Sequence, residues 1–352
     1  MRPVAGQDGE HGFALVLVLV VIVVLSVMTE AMTRWVSGAL EHAFAIRREV
    51  DARREFAEAA AVSLYLLGTR PLSFRGIESS ATALLPTPGT PAMIAGFDPA
   101  KDYVRLDDYP YRLGDDTVVR LQDARGLINL NLASANDLFA VLGLFGAAAE
   151  DRGPLIAKLQ DYIDADSLTR LNGAEAPQYA DAGREPPANA PLRTPWEVRR
   201  ILDWDKVDRI AREDSGWTLL TSTGAFAGFN LNTAPPALLS LMPWMTSDSV
   251  DNVVRWRREQ PITSPSQFGI LAAIPMPVGP SRFLYFPADH LAITISTKGA
   301  PLERHIALHL TPQSPDRPWT IDYDVEMPMT ARDGGETKPD ALPIPPILSP
   351  IP

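Results

Sequence analysis

Carboxylate side chains between positions 161 and 181 offer the clearest chemistry in this sequence. The acidic residues of this stretch are Asp161, Asp164, Asp166, Glu175 and Asp181. Clustered carboxylate oxygens are ligands for hard cations such as Ca²⁺, which tolerates irregular coordination. We therefore predict a calcium site whose ligands are Asp161, Asp164, Asp166 and Glu175. A solvated acidic loop held by helix caps is the alternative that the residue types leave open.

The spacing of these acids argues against an EF-hand. Counted from Asp164, aspartate occupies positions 1 and 3, Asn172 position 9 and Glu175 position 12, as in a calcium-binding loop. Leu168 and Thr169 stand at positions 5 and 6, where an EF-hand needs an oxygen ligand and a glycine. Backbone carbonyls would therefore have to complete the predicted site.

No combination of residues predicts an enzyme. The sequence has no Gly-x-Ser-x-Gly motif, no glycine-rich phosphate loop, no His-Glu-x-x-His motif and only five histidines. His305 and His309 fall on one face of a predicted strand, but a single pair of this kind is typical of a structural role. The acidic stretch could supply the paired acids of an anchored hydrolase, yet no nucleophile or sugar-binding platform accompanies it.

Charge and cysteine content exclude further classes. The chain of 352 residues has a formal net charge of −11. This charge argues against nucleic-acid binding, because phosphate contacts need clustered Lys and Arg. The chain has no cysteine, so disulfides and thiolate zinc sites are excluded. Its length allows two or three compact units.

The elements that must position these residues begin with an uncharged apolar run from Phe13 to Met28. Helix-forming residues continue to Leu67, and Pro71 ends the pattern. One helix from Phe13 to Leu67 would be about 80 Å long, too long for a globular core alone. An apolar stripe near its end predicts burial of one side, and it consists of Val50, Phe56, Ala60, Leu64 and Leu67.

The start of the apolar run has three interpretations. A cleaved secretory signal fits poorly, because the leader sets Arg2 against Asp8 and Glu10 and no small-x-small site follows. A single-span anchor fits about 16 to 20 apolar residues and stays open. Gly12 followed by Phe13 resembles the prepilin-peptidase site of type IV pilins and type II secretion pseudopilins.

Two segments in the middle of the chain repeat each other. Residues 129–131 and 230–232 both read Asn-Leu-Asn, and each precedes a capping residue and a leucine-rich helix. A second helix follows in each copy, and then a helix start at Thr194-Pro195 or Ser264-Pro265. We predict a duplicated helical unit, which resembles helix-hairpin-helix modules of DNA-uptake proteins. A membrane-anchored DNA-binding protein of a DNA-uptake system is therefore the alternative function, disfavoured by the acidic charge.

Strands are predicted on both sides of the duplicated unit. Apolar alternation indicates strands at 103–106, 111–113 and 117–121 with a turn at 114–116, and later at 291–296, 305–310 and 319–325. Two proline-rich stretches are expected to lack regular structure, a loop at 85–91 and a disordered tail at 339–352.

A series of motifs follows in order along residues 12–310. They are the Phe13 helix, Gly-Leu-Ile-Asn-Leu-Asn at 126–131, Asp-Tyr-Ile-Asp-Ala-Asp at 161–166, Asn-Gly-Ala-Glu at 172–175, Tyr179, Ala-Asn-Ala-Pro-Leu at 188–192, and Asn-Leu-Asn-Thr-Ala at 230–234. Together they resemble the general secretion pathway protein K family, the large minor pseudopilins of type II secretion. The element Asn-Gly-Ala-Glu-x-x-x-Tyr is the most family-specific part.

This resemblance implies an α+β fold. A pilin-like long N-terminal helix would lie on a small antiparallel sheet, with an inserted all-α domain of two helix-hairpin-helix or SAM-like repeats. The implied division is a prepilin leader at 1–12, a long helix at 13–70 with a membrane span at 13–33, a first part of the sheet at 71–125, the inserted helical domain at 126–285, a second part of the sheet at 286–326, and a proline-rich tail at 327–352.

The resemblance also implies a role in assembly rather than catalysis. The chain would cap or initiate the pseudopilus tip for protein export across the outer membrane. Its implied partners are the minor pseudopilins I and J, other type II secretion components, the prepilin peptidase and the inner membrane, with no nucleic acid. Its implied location is a single pass of the inner membrane with the C-terminal domain in the periplasm.

Leu17 is the position that bears most directly on the tip role. Most pilins carry a glutamate at the fifth residue after the cut, where it pairs with the terminal amine of a neighbouring subunit. An unpaired buried carboxylate costs several kcal/mol, so a subunit with no neighbour above it should lack one. Two residues depart from the family pattern: Ser167 stands where a further acid is usual, and His11 stands where Lys or Arg is usual.

Overall fold

The structure is a computed structural model that describes residues 10–78, 103–274, 282–330, 332 and 340–342, with side chains from Leu15 onward except at residue 341. The polar leader before Glu10 and the predicted loop at 85–91 lie outside these residues. The chain divides into two compact units, Met1–Arg54 and Glu55–Pro352.

Helices occupy the N-terminus and the middle of the described chain. They are α1 (Glu10–Thr69), α2 (Ala135–Leu144), α3 (Ala149–Ile163), α4 (Ala176–Asp181), α5 (Asp208–Ala211), α6 (Trp217–Leu220), α7 (Pro236–Leu239), α8 (Ser247–Glu259) and α9 (Pro265–Ala272). Short 3-10 helices lie at Ala124–Gly126, Pro195–Arg200 and Trp204–Lys206. Side chains of Ser134, Thr246 and Ser264 cap α2, α8 and α9 by accepting an N–H three residues on.

Longer strands lie on both sides of the helical region, and short two-residue strands lie within it. They are β1 (Leu72–Ser73), β2 (Gly76–Glu78), β3 (Tyr103–Val104), β4 (Asp107–Leu113), β5 (Thr117–Asp123), β6 (Ile128–Asn129), β7 (Thr221–Ser222), β8 (Phe229–Asn230), β9 (Phe283–Leu284), β10 (His290–Thr297), β11 (Leu302–Leu310), β12 (Trp319–Pro328) and β13 (Asp340–Ala341).

The first unit consists of the outer part of α1. The helix tolerates its length because the chain has no proline and a single glycine, Gly38, between Thr29 and Leu67. Its large apolar side chains from Leu15 to Met28 are exposed. By length and composition alone, this is the one helix of the described chain that could cross a membrane.

The second unit begins with the last turns of α1, which pack on a sheet. Phe56, Ala60 and Leu67 are buried in one hydrophobic cluster with residues of β5, β10 and β11. Burial of this stripe, rather than helix propensity, stabilises the end of the helix. The predicted stripe is wrong at Val50, which is 60% exposed.

The main sheet has six strands in the order β12-β11-β10-β5-β4-β13. Its pairs are antiparallel except for β13 on β4. The neighbouring strands β5 and β10 are separated in sequence by the whole helical region, so that region is an insertion between two paired strands. The predicted α+β fold class is confirmed, with the long helix, the antiparallel sheet and the helical segments.

The two Asn-Leu-Asn segments make the same contacts in the structure. The Nδ2 of Asn131 donates to the carbonyl of Leu192 at 3.0 Å, and its Oδ1 accepts the N–H of Leu192 at 2.8 Å. The Nδ2 of Asn232 donates to the carbonyl of Ile262 at 2.8 Å, and its Oδ1 accepts the N–H of Ile262 at 2.8 Å. Both Leu192 and Ile262 lie two residues before the Thr-Pro or Ser-Pro helix start. The duplication therefore extends to side-chain hydrogen bonding.

Both copies contribute to one hydrophobic core. Leu138, Leu142 and Leu159 of the first copy lie in the same cluster as Leu238 and Val253 of the second. Continuous burial of this kind makes the two copies one folded body rather than two independent modules. The exact domain boundaries at 126 and 285 stay predictions.

Three short strands were not expected from the sequence. Two of them, β1 and β2, form a separate antiparallel sheet with β3, which lies within the predicted strand at 103–106. The tail predicted to be disordered contains β13, which pairs with Tyr111 and Arg112 of β4, and Leu342 is buried in the cluster beneath α1. The prediction of disorder is wrong at residues 340–342, because the edge of β4 offers unpaired backbone groups to a short strand.

Candidate functional site

The predicted metal site lies in the segment 161–175, here called the acidic loop, which follows directly from α3. Asp161 is fully buried at the end of that helix. Its Oδ2 accepts the backbone N–H of Arg170 at 3.1 Å, and its Oδ1 accepts from the Arg170 guanidinium at 2.7 Å. The loop therefore folds back onto the helix end and satisfies this buried carboxylate.

The loop requires Asn172 and Gly173 because its backbone passes very close to the Asp161 carboxylate. A Cβ on Gly173 would lie 2.0 Å from the Asp161 Oδ2, closer than any real contact. Asn172 has a φ of +61°, the left-handed region that asparagine tolerates better than most residues. These two positions explain the first half of the Asn-Gly-Ala-Glu motif in steric terms.

Arg170 is a residue of the site that the sequence analysis missed. Its guanidinium bridges Asp161 and Asp164. Hydrogen bonds to Asp161 and Asp164 raise the pKa of Arg170 above its usual value, despite the opposing effect of desolvation. Arg170 is the one basic residue between positions 161 and 183, and that isolation was the signal that could have identified it.

Three oxygen atoms around the loop are buried without a hydrogen-bond partner among the described residues. They are Asp164 Oδ1, Glu175 Oε1 and Asn189 Oδ1. Burial raises the pKa of Glu175, and the charges of Asp161, Asp164 and Asp166 raise it further. Unpaired buried acceptors are costly, and oxygens of this type are the ligands that Ca²⁺ accepts.

The structure does not bring all four predicted ligands together. Asp166 is exposed, and its Oδ1 accepts the N–H of Leu168 at 2.8 Å. Its carbonyl accepts from the Asn189 Nδ2 at 2.7 Å. Asp161 and Asp164 meet around Arg170, whereas Glu175 lies against them as a separate buried carboxyl. Within the acidic loop, the guanidinium of Arg170 therefore compensates part of the negative charge of Asp161 and Asp164.

Tyr179, the last residue of the family-like element, has a structural role. It is fully buried on α4, and its hydroxyl accepts the N–H of Leu202 at 3.1 Å. Burial raises the pKa of the Tyr179 hydroxyl. The residue joins the acidic loop to the chain beyond the second 3-10 helix.

The predicted processing and assembly residues lie at the start of α1. Gly12 and Phe13 are in the helical backbone, and their side chains are outside the described set. Leu17 is 55% exposed, and the apolar residues next to it are exposed to a similar extent. An apolar surface of this length, without a covering layer in the same unit, requires a lipid or protein environment.

The hairpin turn of the first copy has no free backbone N–H at Gly146 or Ala147 for a phosphate of the kind bound by DNA-binding helix-hairpin-helix modules. In the first copy, Gly146 has a φ of +86°. The N–H of Gly146 donates to the carbonyl of Gly143 at 3.1 Å, and the N–H of Ala147 donates to the carbonyl of Leu142 at 3.0 Å. Arg209 and Arg152 donate to the carbonyls of Leu144 and Ala147, both at 2.9 Å. The arginines that could face a phosphate are therefore engaged with the protein backbone.

A buried aspartate that no sequence pattern predicted joins the helical region to the sheet. Asp123, at the end of β5, is fully buried. Its Oδ2 accepts from the Asn230 Nδ2 and the Thr233 hydroxyl, both at 2.8 Å, and its Oδ1 accepts the N–H of Ala288 at 2.9 Å and of Arg125 at 3.0 Å. Burial raises the pKa of Asp123 even with these four donors. The second Asn-Leu-Asn segment is thereby fixed to the sheet.

The fold and the exposed N-terminal helix together define a pilin-like α+β protein. A comparison with solved structures finds a chain in "The Crystal Structure of the GspK-GspI-GspJ complex from enterotoxigenic Escherichia coli Type 2 Secretion System", at 16% identity and a TM-score of 0.45, covering 82% of this chain and 98% of that chain. No protein-family model and no curated protein matches the sequence.

Proposed function

We propose that this protein is a minor pseudopilin of the type II secretion system that caps or initiates the pseudopilus tip during protein export across the outer membrane. The observation that carries the proposal is the division of α1. Its outer apolar surface from Leu15 to Met28 is exposed, whereas its last turns are buried on an antiparallel sheet. A subunit of this design can be held in a membrane and can pack by its helix against other subunits.

The helical insertion supports a tip position in particular. The sheet carries a second folded body between β5 and β10, with its own hydrophobic core. Such bulk on the soluble side is compatible with a terminal subunit, because no further subunit has to pack above it. Leu17 agrees with this role, since a terminal subunit needs no carboxylate to pair with a neighbour's amine.

The processing and location follow from the same proposal. A prepilin peptidase would cut between Gly12 and Phe13, leaving Phe13 as the first residue. The apolar part of α1 would then anchor the chain in the inner membrane as a single span, with the C-terminal domain in the periplasm. By resemblance of the sequence motifs, its partners would be the minor pseudopilins I and J.

Calcium binding to the acidic loop is part of the proposal. The buried, unpartnered oxygens of Asp164, Glu175 and Asn189 would be ligands, and Asp161 would hold the loop backbone against α3. When bound, the ion would supply positive charge to a cluster that otherwise has Arg170 alone. Its expected role is to stabilise the loop rather than to take part in a reaction.

The test is co-purification of the full chain, extracted in detergent, with the minor pseudopilins I and J. We expect a stoichiometric complex, and we expect chelator to weaken it if the loop contributes to the contact. A folded chain that forms no complex in either condition would contradict the tip role. Salt-dependent binding of DNA by the same preparation would instead favour the DNA-uptake alternative.

A further inference from the structure

Three side chains at one end of the main sheet are placed as metal ligands. His290 begins β10, His309 lies near the end of β11, and Asp322 lies on β12. Each of them offers a ligand atom within 4.8 Å of the other two. Among the described residues, this is the one set of three histidine or carboxylate side chains that converges so closely. The acidic loop does not form such a set.

The register of the sheet creates this arrangement. His290 and His309 are directly opposite each other in the β10–β11 pair, and their rings stack at 5.2 Å between centroids. Between β11 and β12 the register shifts, because Ala307 pairs with Tyr323 and Leu308 pairs with Ile321. Asp322 is therefore the extra residue of a β-bulge, a device that redirects a side chain out of the regular alternation.

The second ring nitrogen of each histidine is left free. The Nδ1 of His290 lies 2.8 Å from the Asp289 Oδ1, and the Nδ1 of His309 lies 2.8 Å from the Asp322 Oδ1. In the part of the chain that the structure describes, neither Nε2 has a hydrogen-bond partner. Asp289 fixes the tautomer and the ring orientation of His290, as a carboxylate does for a metal-binding histidine, whereas the contact between His309 and Asp322 must open for both to bind one ion.

The surroundings restrict His290 while leaving the other two groups adjustable. A Cβ on Gly224 would lie 2.6 Å from the His290 Cδ2, so the ring is packed against the backbone there. Phe226 also contacts this ring, at 5.2 Å between centroids. The side chains of His309 and Asp322 are 32% and 33% exposed. One ligand is thus rigid, and two can turn toward an ion from the solvent side.

We propose that His290, His309 and Asp322 bind a divalent transition-metal ion of the zinc class at the end of the β10–β11–β12 sheet. Two imidazole nitrogens and one carboxylate oxygen form a donor set that suits Zn²⁺ and is unsuitable for Ca²⁺ or Mg²⁺. Ligand atoms on a tetrahedral Zn²⁺ lie about 3.3 Å apart, so the His309 ring must rotate out of its stack on His290 and Asp322 must turn with it to close the present spacing of up to 4.8 Å. Water completes the coordination.

Binding would join the edge strand β12 to the interior of the sheet. The three ligands come from three adjacent strands, and β12 has no neighbour on its outer side in the described sheet. An ion that binds the folded chain and not the unfolded chain stabilises the folded state. This site is independent of the pseudopilin proposal, because it uses none of the residues of the acidic loop or of the apolar helix surface.

The experiment is a Zn²⁺ titration of the full chain in detergent, freed of metal with a chelator and kept in excess Ca²⁺ so that the acidic loop does not compete. We expect one Zn²⁺ per chain and a rise in Tm on binding. His309→Gln should abolish this binding, and Asp289→Asn should weaken it by about tenfold to a hundredfold because it orients a ligand. His42→Gln, an exposed histidine on α1, is the matched control and should bind as the unmodified chain does.

Two results would overturn the proposal. One is the absence of a zinc-dependent rise in Tm in the unmodified chain. The other is unchanged zinc binding in His309→Gln, which would place the ion elsewhere. If His309→Gln does not fold, Asp322→Asn provides the same test, because this residue lies on the exposed bulge and the amide can keep the contact to His309. Weakened zinc binding by folded Asp322→Asn supports the site, and unchanged binding contradicts it.

Discussion

At the scale of single residues, buried charges are stabilised by partners from distant parts of the chain. Glu303 on β11 is fully buried, with His305 3.0 Å from its Oε1 and Arg332 3.1 Å from its Oε2. Burial alone would raise the pKa of Glu303, but His305 and Arg332 outweigh it and lower the pKa to about 2. Arg257 is the contrasting case, because burial lowers its pKa to about 10 while it donates to the backbone of the second repeat.

Glu303 should make stability dependent on acid pH. Its pKa is lower in the folded chain than in the unfolded chain, so its contribution is present above about pH 4.5 and is lost as the pH falls toward 2. A shift of this size corresponds to about 3 kcal/mol. We expect Glu303→Gln to lower the free energy of unfolding at pH 7 by about 2–3 kcal/mol, as measured by urea denaturation.

The same variant provides the control for this pH effect. The difference in stability between the unmodified chain and Glu303→Gln should shrink between pH 4.5 and pH 2, because both then carry a neutral side chain. A difference that stays constant over this range would show that the lost carboxylate acts through packing and not through charge.

Gly173 should be intolerant of a side chain. Its missing Cβ leaves room for the Asp161 Oδ2, so Gly173→Ala must displace either the loop or the helix end. We expect a loss of about 1–3 kcal/mol in the free energy of unfolding, as for other overpacked sites. Gly153→Ala in α3 is the matched control, because no atom lies within 4 Å of the added Cβ, and it should be neutral or slightly stabilising. Equal effects of the two substitutions would refute the steric explanation.

At the scale of elements, the sequence predicted the helices and strands that depend on a local residue pattern. The apolar run predicted α1, alternation predicted the strands of the main sheet other than β13, and the Asn-Leu-Asn repeat predicted two helical units. Arg170, Asp123 and the bulge at Asp322 were missed, because each depends on which distant segment packs against it. No periodicity in one strand reveals a register shift relative to its neighbour.

The acidic loop is the element whose stability should respond to calcium. We expect Asp164→Ala combined with Asp166→Ala to lower Tm relative to the unmodified chain in the presence of Ca²⁺, and to leave it nearly unchanged in chelator. The reason is that the unmodified loop gains ligand binding energy that the variant cannot gain. The measurement is thermal unfolding followed by circular dichroism in both conditions.

Asp181→Ala is the matched control for the loop, because this exposed carboxylate ends α4 in the same acidic stretch. It should keep the full response to calcium. If the double variant has the same loss of Tm in chelator as in Ca²⁺, calcium binding is not the cause. The carboxylates would then stabilise the loop only through Arg170 and the end of α3.

At the scale of the whole molecule, the proposed tip role makes a prediction at Leu17 on the exposed part of α1. We expect Leu17→Glu to disturb initiation of the pseudopilus tip, because a carboxylate without a partner amine is costly in an apolar environment. Assembly can be followed by recovery of the complex with the minor pseudopilins I and J and by secretion in cells. Leu17→Met keeps the position apolar and should behave as the unmodified chain. Normal tip initiation by Leu17→Glu would count against the role given to this position.

The insertion between β5 and β10 has a consequence for the order of folding. Paired residues such as Val119 and Ile295 are separated by the whole helical region, and pairing at such sequence distance is slow because a long loop must close first. The contacts of α2 with α3 and of α8 with α9 join neighbouring segments of the chain and can form before the two strands meet. We therefore expect the helices between the two strands to be protected early in pulsed hydrogen exchange, and the hydrogen bonds between β5 and β10 to appear last.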